Sequence, residues 1–358
     1  MARTPGSGAG PEAVGTLPSL TRAMRDPGGG PADARRRPAA GAANPRLGYQ
    51  FAALNALISG FAIFINSIGV RTFADSTLYT TLKNGVVGAA VVLPLLLSGA
   101  HRRELAGLGR REWGLLALIA LVAGSVAYAL DFRGLQISTA ATAAVIDHSQ
   151  FLLVAVLAAV LLGERPGRAI VCALAVLAGG LALGLRLGAV HVDAGVPFLV
   201  SSTVLFALGA VLIKVALRTI SVAVVVAMKM TLGSALLFAY VAATGRLGAA
   251  LHLSATQWGF VLVTGLILLA FTLTELWGLR HASATGVMAI SAGAPIVTTL
   301  LVAATRRAPI PPAQLLGLGM ILAAVLTIYA VGSGREARVA ARSSESGVRR
   351  IATPAARG

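Results

Sequence analysis

Charge is scarce in this chain: only 12% of its 358 residues are Asp, Glu, Lys or Arg, whereas 56% are hydrophobic and the mean hydropathy is +0.82. A soluble domain must cover its surface with polar side chains, and this composition cannot supply them. Apolar runs of eighteen or more residues with few charges are typical of membrane spans. The composition therefore excludes an ordinary soluble domain and predicts an all-α integral membrane protein.

Several chemical motifs are also missing. The one cysteine, Cys172, excludes an intrachain disulfide and a multi-cysteine metal site. The chain has no G-x-x-x-x-G-K-[ST] loop, so we do not expect it to hydrolyse ATP. It has no D-x-x-D or H-x-x-x-H cluster of the kind that supports metal or acid–base chemistry at one membrane face. We therefore expect no metal, no cofactor and no enzymatic activity.

Positive charge lies mainly at the chain ends and beside apolar segments. Of the formal net charge of +17, the stretches before and after the apolar region hold +4 each. A nucleic-acid-binding protein would present a basic face on a folded domain, so we expect no nucleic-acid partner. Residues 1–46 are rich in Gly, Pro, Ala and Arg and have no apolar h-region, which predicts a disordered basic tail and no cleavable signal peptide. Residues 333–358 predict a second such tail.

Ten apolar segments have about the 20 residues that a membrane-spanning helix needs. They lie at 48–70, 76–98, 113–131, 138–162, 168–187, 196–217, 222–243, 257–278, 283–304 and 312–332. With the N-terminus inside, the cytoplasmic flanks hold 15 arginines and the opposite flanks hold 6. Because positive residues favour the cytoplasmic side, the sequence predicts a multi-pass protein of the inner (plasma) membrane with both termini in the cytoplasm.

The two halves of the apolar region resemble each other. A shift of 144 positions places Asp131 on Glu275, and a slightly different shift places Lys83 on Lys229. Five spans per half is an odd number, so the second half must lie upside down relative to the first. Inverted repeats are typical of secondary transporters, whose substrate site lies near the midplane between the repeats. We predict the repeats at 47–190 and 191–332.

Three segments carry a family resemblance: Gly134-Leu-Gln-Ile-Ser-Thr-Ala-Ala-Thr-Ala-Ala, Leu162-Gly163-Glu164-Arg165, and the second copy from Gly278-Leu-Arg-His-Ala-Ser-Ala-Thr-Gly through Pro295. With them, residues 48–332 resemble the EamA-type members of the drug/metabolite transporter superfamily. The resemblance implies a secondary transporter of a small metabolite, amino-acid-like compound or drug. Export is the direction that the family resemblance implies. It implies alternating access, energised by protons or by exchange.

The chain departs from the pattern of this family at several positions. Phe151 stands where the family usually has a proline in the fourth helix, although Pro295 occupies the equivalent place in the second half. Arg307-Ala308 replaces the closing Gly-Glu, and Asn66 stands where a lysine is common, whereas Lys214 keeps that lysine in the sixth span. These departures leave family membership in place but prevent inference of the substrate by analogy.

All three lysines of the chain, Lys83, Lys214 and Lys229, lie inside or at the edge of predicted spans. Lysine carries a compact charge and can lose its proton when buried. Lys83 and Lys229 each lie about 10 Å into their helices but enter from opposite faces, so they sit at mirror depths. Charges within the membrane mark functional sites by default, which makes all three candidates for the substrate site. The alternative is that they snorkel to the interface.

The pair Asp147-His148, near the middle of the fourth span, breaks the symmetry because its counterparts are Ser291 and Ala292. A carboxylate at this depth costs about 3 kcal/mol, which fold alone seldom justifies. We predict that Asp147, His148 and the nearby Gln150 contact substrate or couple protons, since the ordinary pKa of histidine suits proton transfer. The alternatives are a structural ion pair between Asp147 and a lysine, and a buried imidazole with its hydrogen bonds satisfied.

Two further features concern gating and packing. Asp131 and Glu275 end the third and eighth spans near opposite faces, either as solvated acids or as gating residues paired with Arg133 or Arg280. Tyr128 and Trp277 are typical of the aromatic belt at the membrane interface. Gly180, Gly184 and Gly188 follow one another at the spacing that lets helices approach closely, which is also compatible with a homodimer.

Two other functions fit a polytopic membrane protein. One is an enzyme acting on lipid-linked substrates, which the dispersed carboxylates disfavour. The other is a channel, receptor or scaffold without turnover. The expected partners are a small-molecule substrate and the lipid bilayer.

Overall fold

The structure is a computed structural model that describes residues 44–138, 143, 146–184, 193–307 and 309–351, with side chains described as far as Gly334. All regular elements in these ranges are helical. The predictions for the N-terminal tail before residue 44, for residues 139–142 and for Gly188 lie outside the described residues. The predicted domain limits remain predictions.

Helices account for both halves of the apolar region. The first half contains α1 Pro45–Gly69, α2 Ser76–Leu97, α3 Gly99–Ala106, α4 Arg110–Leu121, α5 Ala127–Ile137, α6 Gln150–Leu157 and α7 Arg168–Gly184. The second contains α8 Val196–Ala216, α9 Val222–Ala243, α10 Ala255–His281, α11 Ala284–Ser291, α12 Ala294–Arg306 and α13 Pro312–Ile351. A π-helical turn, Val122–Val126, joins α4 to α5, and another, Ala158–Leu162, follows α6.

Eight segments of the described chain are long and apolar enough to cross a membrane. Two shorter apolar helices, Ile146–Leu162 and Arg168–Gly184, occupy the predicted fourth and fifth spans and border residues that are not described. The prediction of an all-α integral membrane protein with about ten spans is confirmed.

Short polar side chains set the starts of several spans. Asn44 Oδ1 accepts a hydrogen bond from the Leu47 N–H at 3.3 Å, and Asp75 Oδ1 accepts one from the Thr77 N–H at 2.8 Å. Such caps satisfy backbone donors that the first helical turn leaves free. Ser254 caps α10 in the same way and forms a reciprocal capping box with Gln257. Local capping therefore fixes where these spans begin.

The packing of the spans follows the repeat. The largest packing surfaces join α1 with α10, α5 with α8, α2 with α9, and α7 with α13. A two-fold axis that relates the repeats moves each span onto the span five places away in the chain. Such an axis exchanges the α1–α10 contact with the α5–α8 contact. It maps the α2–α9 contact and the α7–α13 contact each onto itself. The arrangement therefore has the symmetry of two inverted five-span repeats.

Glycines allow the closest approach between spans. A side chain at Gly180 would collide with the backbone of Gly317 and Ile321 in α13, and Gly184 faces Gly317 as well. The small-residue face predicted for the fifth span thus packs within the chain. A homodimer stays a prediction, and this face does not support it.

The fourth and ninth spans are interrupted at equivalent places. In the ninth span α11 ends at Ser291, and α12 resumes with Pro295 in its first turn. Proline lacks the N–H that would continue a helix. In the fourth span the break falls at Ser149, whose hydroxyl donates to the Ile146 carbonyl oxygen at 2.6 Å. Such a side-chain bond competes with the helical backbone bond, so the break forms without a proline.

Candidate functional site

A small cavity of about 80 Å³ lies against both breaks. Its lining comes from α1, the fourth span, α10 and the ninth span. The lining residues are Asn55, Ser59, Asp147, His148, Gln150, Phe151, Phe271, Glu275, Met288, Ser291 and Ala292. The structure thus brings together three residues predicted for substrate contact or proton coupling, Asp147, His148 and Gln150, and one predicted for gating, Glu275.

Glu275 is held by a buried lysine. Lys229 Nζ lies 3.6 Å from Glu275 Oε2, and the two residues are only 3% and 8% exposed. Among the described residues, none donates a hydrogen bond to Glu275 Oε2. Arg280, considered as its partner from the sequence, instead donates to the Leu217 carbonyl oxygen. Glu275 is therefore a cavity residue paired with Lys229 and not a solvated acid at a helix end.

Lys83 lies beside Asp131 in the first repeat. Lys83 Nζ donates to Asn66 Oδ1 at 3.3 Å, lies 4.4 Å from the centroid of the Phe132 ring and is attracted electrostatically to Asp131. Arg133, considered as the partner of Asp131, donates to Gln136 Oε1 at 3.2 Å. The repeat places Lys83 on Lys229 and Asp131 on Glu275. Each repeat thus holds a lysine near a carboxylate, but of these two combinations only Lys229 and Glu275 come within ion-pair distance.

Asp147 lies near Asp131, and the two carboxyls are close enough to interact electrostatically. The neighbouring Ser202 and Thr203 hydroxyls both donate to the Leu199 carbonyl oxygen, at 2.8 Å each. Two neighbouring carboxylates repel each other when both are ionised, and a proton shared between them relieves that repulsion. Asp147 belongs both to this carboxyl pair and to the lining of the cavity.

We define the charge cluster as Lys83, Lys229, Asp131, Asp147 and Glu275. With every group ionised, two positive charges face three negative ones, so the cluster has a net charge of −1. An unbalanced charge is costly in a low-dielectric interior. The cluster is therefore neutral when it holds one additional monovalent cation, of which a proton is the simplest.

The two aromatic residues expected in the interfacial belt have different positions. Tyr128 is 8% exposed and lies close enough to Glu275 and Asp131 to interact electrostatically with both. Trp277 is 40% exposed and stacks on Phe51, with ring centroids 5.9 Å apart. Tyr128 therefore belongs to the surroundings of the charge cluster, whereas the position of Trp277 fits the belt.

The structure does not bring Lys214 to the cavity. Lys214 Nζ donates to the carbonyl oxygens of Leu279 and Ala282, at 2.5 Å each. Those carbonyls end α10, where the last turn leaves acceptors without helical partners. The geometry thus gives Lys214 a capping contact that joins α8 to α10.

Sequence reasoning did not select Asn55, Ser59 and Ser291 as cavity residues. Asn55 is 1% exposed, and its Nδ2 donates to the Phe271 carbonyl oxygen at 2.8 Å and to Thr274 Oγ1 at 3.1 Å. The sequence signal that could have identified Asn55 is an amide in the middle of an apolar span, because a polar group at that depth needs a partner. Serines carry little such signal in a chain rich in small residues.

At the end of the bundle where α1 begins, two carboxylates tie the repeats together. Glu164 accepts hydrogen bonds from the Ala284 N–H at 2.8 Å and from the Thr285 N–H at 3.1 Å and Oγ1 at 2.8 Å. Glu104 accepts from the Ser221 N–H and Oγ, at 2.7 Å each. Both carboxylates therefore cap a helix of the second repeat from a loop or short helix of the first.

The opposite end of the bundle has its own contacts between the repeats. Arg246 Nη1 lies 3.1 Å from Asp75 Oδ2, and Gln257 donates to the Thr72 carbonyl oxygen at 2.6 Å. A hydrogen bond to Tyr240, together with the attraction of Asp75, raises the pKa of Arg246 above its ordinary value. A relative movement of the repeats has to break bonds at one end or the other.

Comparisons with known proteins agree with this architecture. The model of a family described as the EamA-like transporter family matches residues 46–186 and again residues 193–330. A solved structure described only as "Crystal structure of protein" is 18% identical, covers 80% of this chain and 98% of its own, and superposes with a TM-score of 0.62. At that identity it shows the fold alone. No curated protein matches the chain.

Proposed function

The chain belongs to the EamA-like transporter family, whose members carry small substrates across membranes, and we propose that it is a secondary active transporter working by alternating access. The proposed site is the cavity between the fourth and ninth spans. Its proposed residues are Asp147, His148 and Gln150 at the cavity, Lys83 and Lys229 behind it, and Asp131 and Glu275 as their partners.

One observation carries this proposal: a buried cluster of ionisable groups lies beside two interrupted spans. Broken helices near the bilayer midplane are typical of transporter binding sites. Ionisable groups inside a membrane cost several kcal/mol and are rarely kept for the fold alone. The break in the ninth span has a sequence cause in Pro295, and the equivalent break at Ser149 brings Asp147 and His148 to the same cavity.

The proposed coupling ion is the proton, carried by the Asp131–Asp147 pair. The charged and titratable groups facing that pair are Lys83 from α2, Tyr128 from α5, and Glu275 from α10 with its partner Lys229 from α9. His148 adjoins Asp147 in the fourth span. A proton on the Asp131–Asp147 pair gives the charge cluster a net charge of zero. Loss of that proton leaves a net charge of −1, which another cation can balance.

The proposed movement is a rocking of one repeat against the other. Glu164, Glu104 and Lys214 hold the end where α1 begins, and the Arg246–Asp75 pair holds the opposite end. We place the end where α1 begins on the cytoplasmic side of the inner membrane, because the arginines concentrate at that end. The family resemblance favours export as the direction.

The test uses the purified full-length chain in liposomes that enclose a pH-sensitive dye. Amino acids, organic ions, nucleotide sugars and drugs are added one at a time under an imposed pH gradient. We expect at least one compound to move protons with saturation, and the Asp147→Asn variant to lose that flux by at least about tenfold because it cannot carry the exchangeable proton.

Glu112→Gln is the matched carboxyl-to-amide control. Glu112 Oε2 accepts a hydrogen bond from the Gly109 N–H at 2.8 Å at the start of α4, away from the cavity, and the amide oxygen of glutamine can accept the same bond. This control should retain full flux. Undiminished flux in Asp147→Asn contradicts the site, and flux that neither saturates nor shows counter-transport indicates a channel.

A further inference from the structure

A dense group of exposed arginines lies in the connection between the second and third spans. The connection runs from the end of α2 to the start of α4 and contains the short helix α3. Four exposed arginines lie within it: Arg102, Arg103, Arg110 and Arg111. No other ten-residue stretch of the described chain holds four arginines. Because the connection joins two adjacent spans, these charges lie at a membrane surface.

The helix α3 has one face on the protein and one face outward. On the inner face, Glu104 accepts hydrogen bonds from the Ser221 N–H and Oγ, at 2.7 Å each. Leu105, also on this face, packs against the hydrophobic core. Arg102 and Arg103 lie on the opposite side of the helix. The contacts of the inner face therefore hold these two arginines outward.

The carboxylates of the connection do not pair with its arginines. Glu104 bonds the start of α9, and Glu112 accepts a backbone N–H bond at the start of α4. No described carboxylate lies within ion-pair distance of Arg102, Arg103 or Arg110. Four arginines against two carboxylates leave residues 98–112 with a net charge of 4 − 2 = +2. The exposed face therefore attracts anions from outside the chain.

The equivalent connection of the second repeat lacks this surface. Between α9 and α10, residues 244–254 contain one arginine, Arg246, which is ion-paired with Asp75. Arg280, at the same end of the bundle as α3, is also used within the protein, since it donates to the Leu217 carbonyl oxygen. Membrane orientation depends on the number of positive residues on each side and does not require them to share one surface.

Apolar side chains flank the arginines at the membrane surface. Leu97, the last residue of α2, is 73% exposed, and Trp113, in the first turn of α4, is 40% exposed. Tryptophan favours the boundary between lipid headgroups and hydrocarbon. A lipid offers a phosphate to the arginines and an acyl chain to the apolar side chains, whereas a dissolved anion offers charge alone. The surroundings therefore favour a lipid over a soluble anion.

We propose that α3 and the start of α4 bind the headgroup of an anionic phospholipid, with Arg102, Arg103 and Arg110 donating to its phosphate oxygens. Guanidinium groups bind phosphate through paired N–H donors. The acyl chains lie along the exposed apolar side chains of α2 and α4. Because Glu104 joins α3 to the start of α9, a lipid that holds α3 also holds this contact between the repeats. The site does not depend on the proposed transport function.

Three probes separate lipid charge from free phosphate: phosphatidylglycerol, phosphatidylcholine with the same acyl chains, and inorganic phosphate. Each is titrated into the purified, delipidated full-length chain in uncharged detergent, and the unfolding temperature is measured, since a ligand of the folded form raises it. We expect saturable stabilisation by phosphatidylglycerol, less by phosphatidylcholine and none by phosphate. Equal stabilisation by phosphatidylcholine would overturn the charge preference, and equal stabilisation by phosphate would overturn the lipid.

Paired substitutions locate the binding. Arg102→Gln with Arg103→Gln should weaken the apparent phosphatidylglycerol affinity by about tenfold or more, because each arginine near the headgroups adds to the attraction. Arg306→Gln with Arg307→Gln is the matched control: it removes two adjacent exposed arginines at the opposite end of the bundle and should leave the affinity unchanged. Size-exclusion chromatography verifies that both variants fold. Equal affinities of the two variants would place the lipid elsewhere and overturn the site.

Hydrogen exchange locates the contact in the native chain. Phosphatidylglycerol, compared with phosphatidylcholine, should slow exchange in α3 and at the start of α9, where the Ser221 N–H bonds Glu104. The variant with Arg102→Gln and Arg103→Gln should lose this difference. Slower exchange confined to other segments contradicts the site. None of these measurements needs turnover, so an absence of flux counts against transport alone, and an absence of lipid selectivity counts against this site alone.

Discussion

Lys229 and Glu275 form an ion pair at a depth that water hardly reaches. Both residues are under 10% exposed, and the gap between Lys229 Nζ and Glu275 Oε2 is 3.6 Å. Removing one partner of a buried pair leaves the charge of the other uncompensated, whereas replacing both with apolar side chains removes the problem. The pair therefore allows a test of its burial by a double-mutant cycle.

Lys229→Met should lower the free energy of unfolding by about 3–5 kcal/mol, and Lys229→Met with Glu275→Leu should recover most of that loss. Reversible unfolding in detergent, followed by circular dichroism, measures both. Arg246→Met is the control, because the Arg246–Asp75 pair is partly exposed, with side-chain exposures of 39% and 25%, and should contribute only about 0–1 kcal/mol. Equal losses in Lys229→Met and Arg246→Met would contradict the buried pairing.

The sequence indicated which ionisable residues lie at membrane depth but not which of them meet. The repeat predicted that Lys83 matches Lys229 and that Asp131 matches Glu275. The structure places a lysine near a carboxylate in each repeat, and Lys229 and Glu275 form an ion pair. Arginines close in sequence had been considered as partners instead. Pairing across spans depends on how helices pack, and neither hydropathy nor spacing contains that information.

Among the helices, the π turn at Val122–Val126 brings the third span closest to α9. A Cβ added at Gly124 would lie 2.5 Å from the Lys229 carbonyl oxygen and 3.2 Å from the Gly233 Cα. π turns inside helices frequently mark functional positions. Here the turn brings the third span against the backbone of a lysine in the charge cluster.

Gly124→Val should therefore disrupt the contact between these spans and cost about 1–3 kcal/mol or more through overpacking. Thermal unfolding of the purified protein, with size-exclusion chromatography as a measure of folded yield, checks this. Gly114→Val lies in the same span, where nothing lies within 4 Å of an added Cβ. This control should lose no more than the small β-branched helix penalty, and similar behaviour of the two variants would argue against the close approach.

Hydropathy predicted the starts of several helices closely, because a polar capping residue directly precedes each of these apolar runs. The second and seventh spans were expected from 76 and 222, and they begin at Ser76 and Val222. The two breaks were not predicted. In the ninth span, Pro295 is a sequence signal for the break. The break at Ser149 depends on a hydrogen bond from the serine hydroxyl to a backbone carbonyl oxygen, which averaged hydropathy cannot reveal.

At the scale of the whole molecule, the number of spans determines which segments share a side of the membrane, and the arginine distribution predicts the orientation. We expect a fluorescent protein fused to the C-terminus to be fluorescent in the cytoplasm. Alkaline phosphatase inserted at Gly245, between α9 and α10, should be active on the opposite side. Phosphatase activity at the C-terminal fusion, with none at Gly245, would reverse the orientation. Fusion at Gly107, after α3, should match the C-terminus.

The two-repeat architecture could be predicted because its signals are distributed along the chain: ten apolar runs, an odd number per half, and paired residues at a constant shift. The position of the cavity could not. The cavity is the small volume that α1, α10 and the two interrupted spans leave unfilled when they pack together. No single segment of the sequence determines that volume.

The excess of one carboxyl over lysine in the charge cluster also has a bioenergetic consequence. If one monovalent cation leaves as one proton enters, no net charge crosses the membrane in a complete cycle. The electrical potential then does no work on transport, and the pH gradient alone sets how far a cation can be accumulated. Under the proposed proton-coupled transport, a cell whose membrane is depolarised but whose pH gradient persists would retain the full driving force for such an exchange.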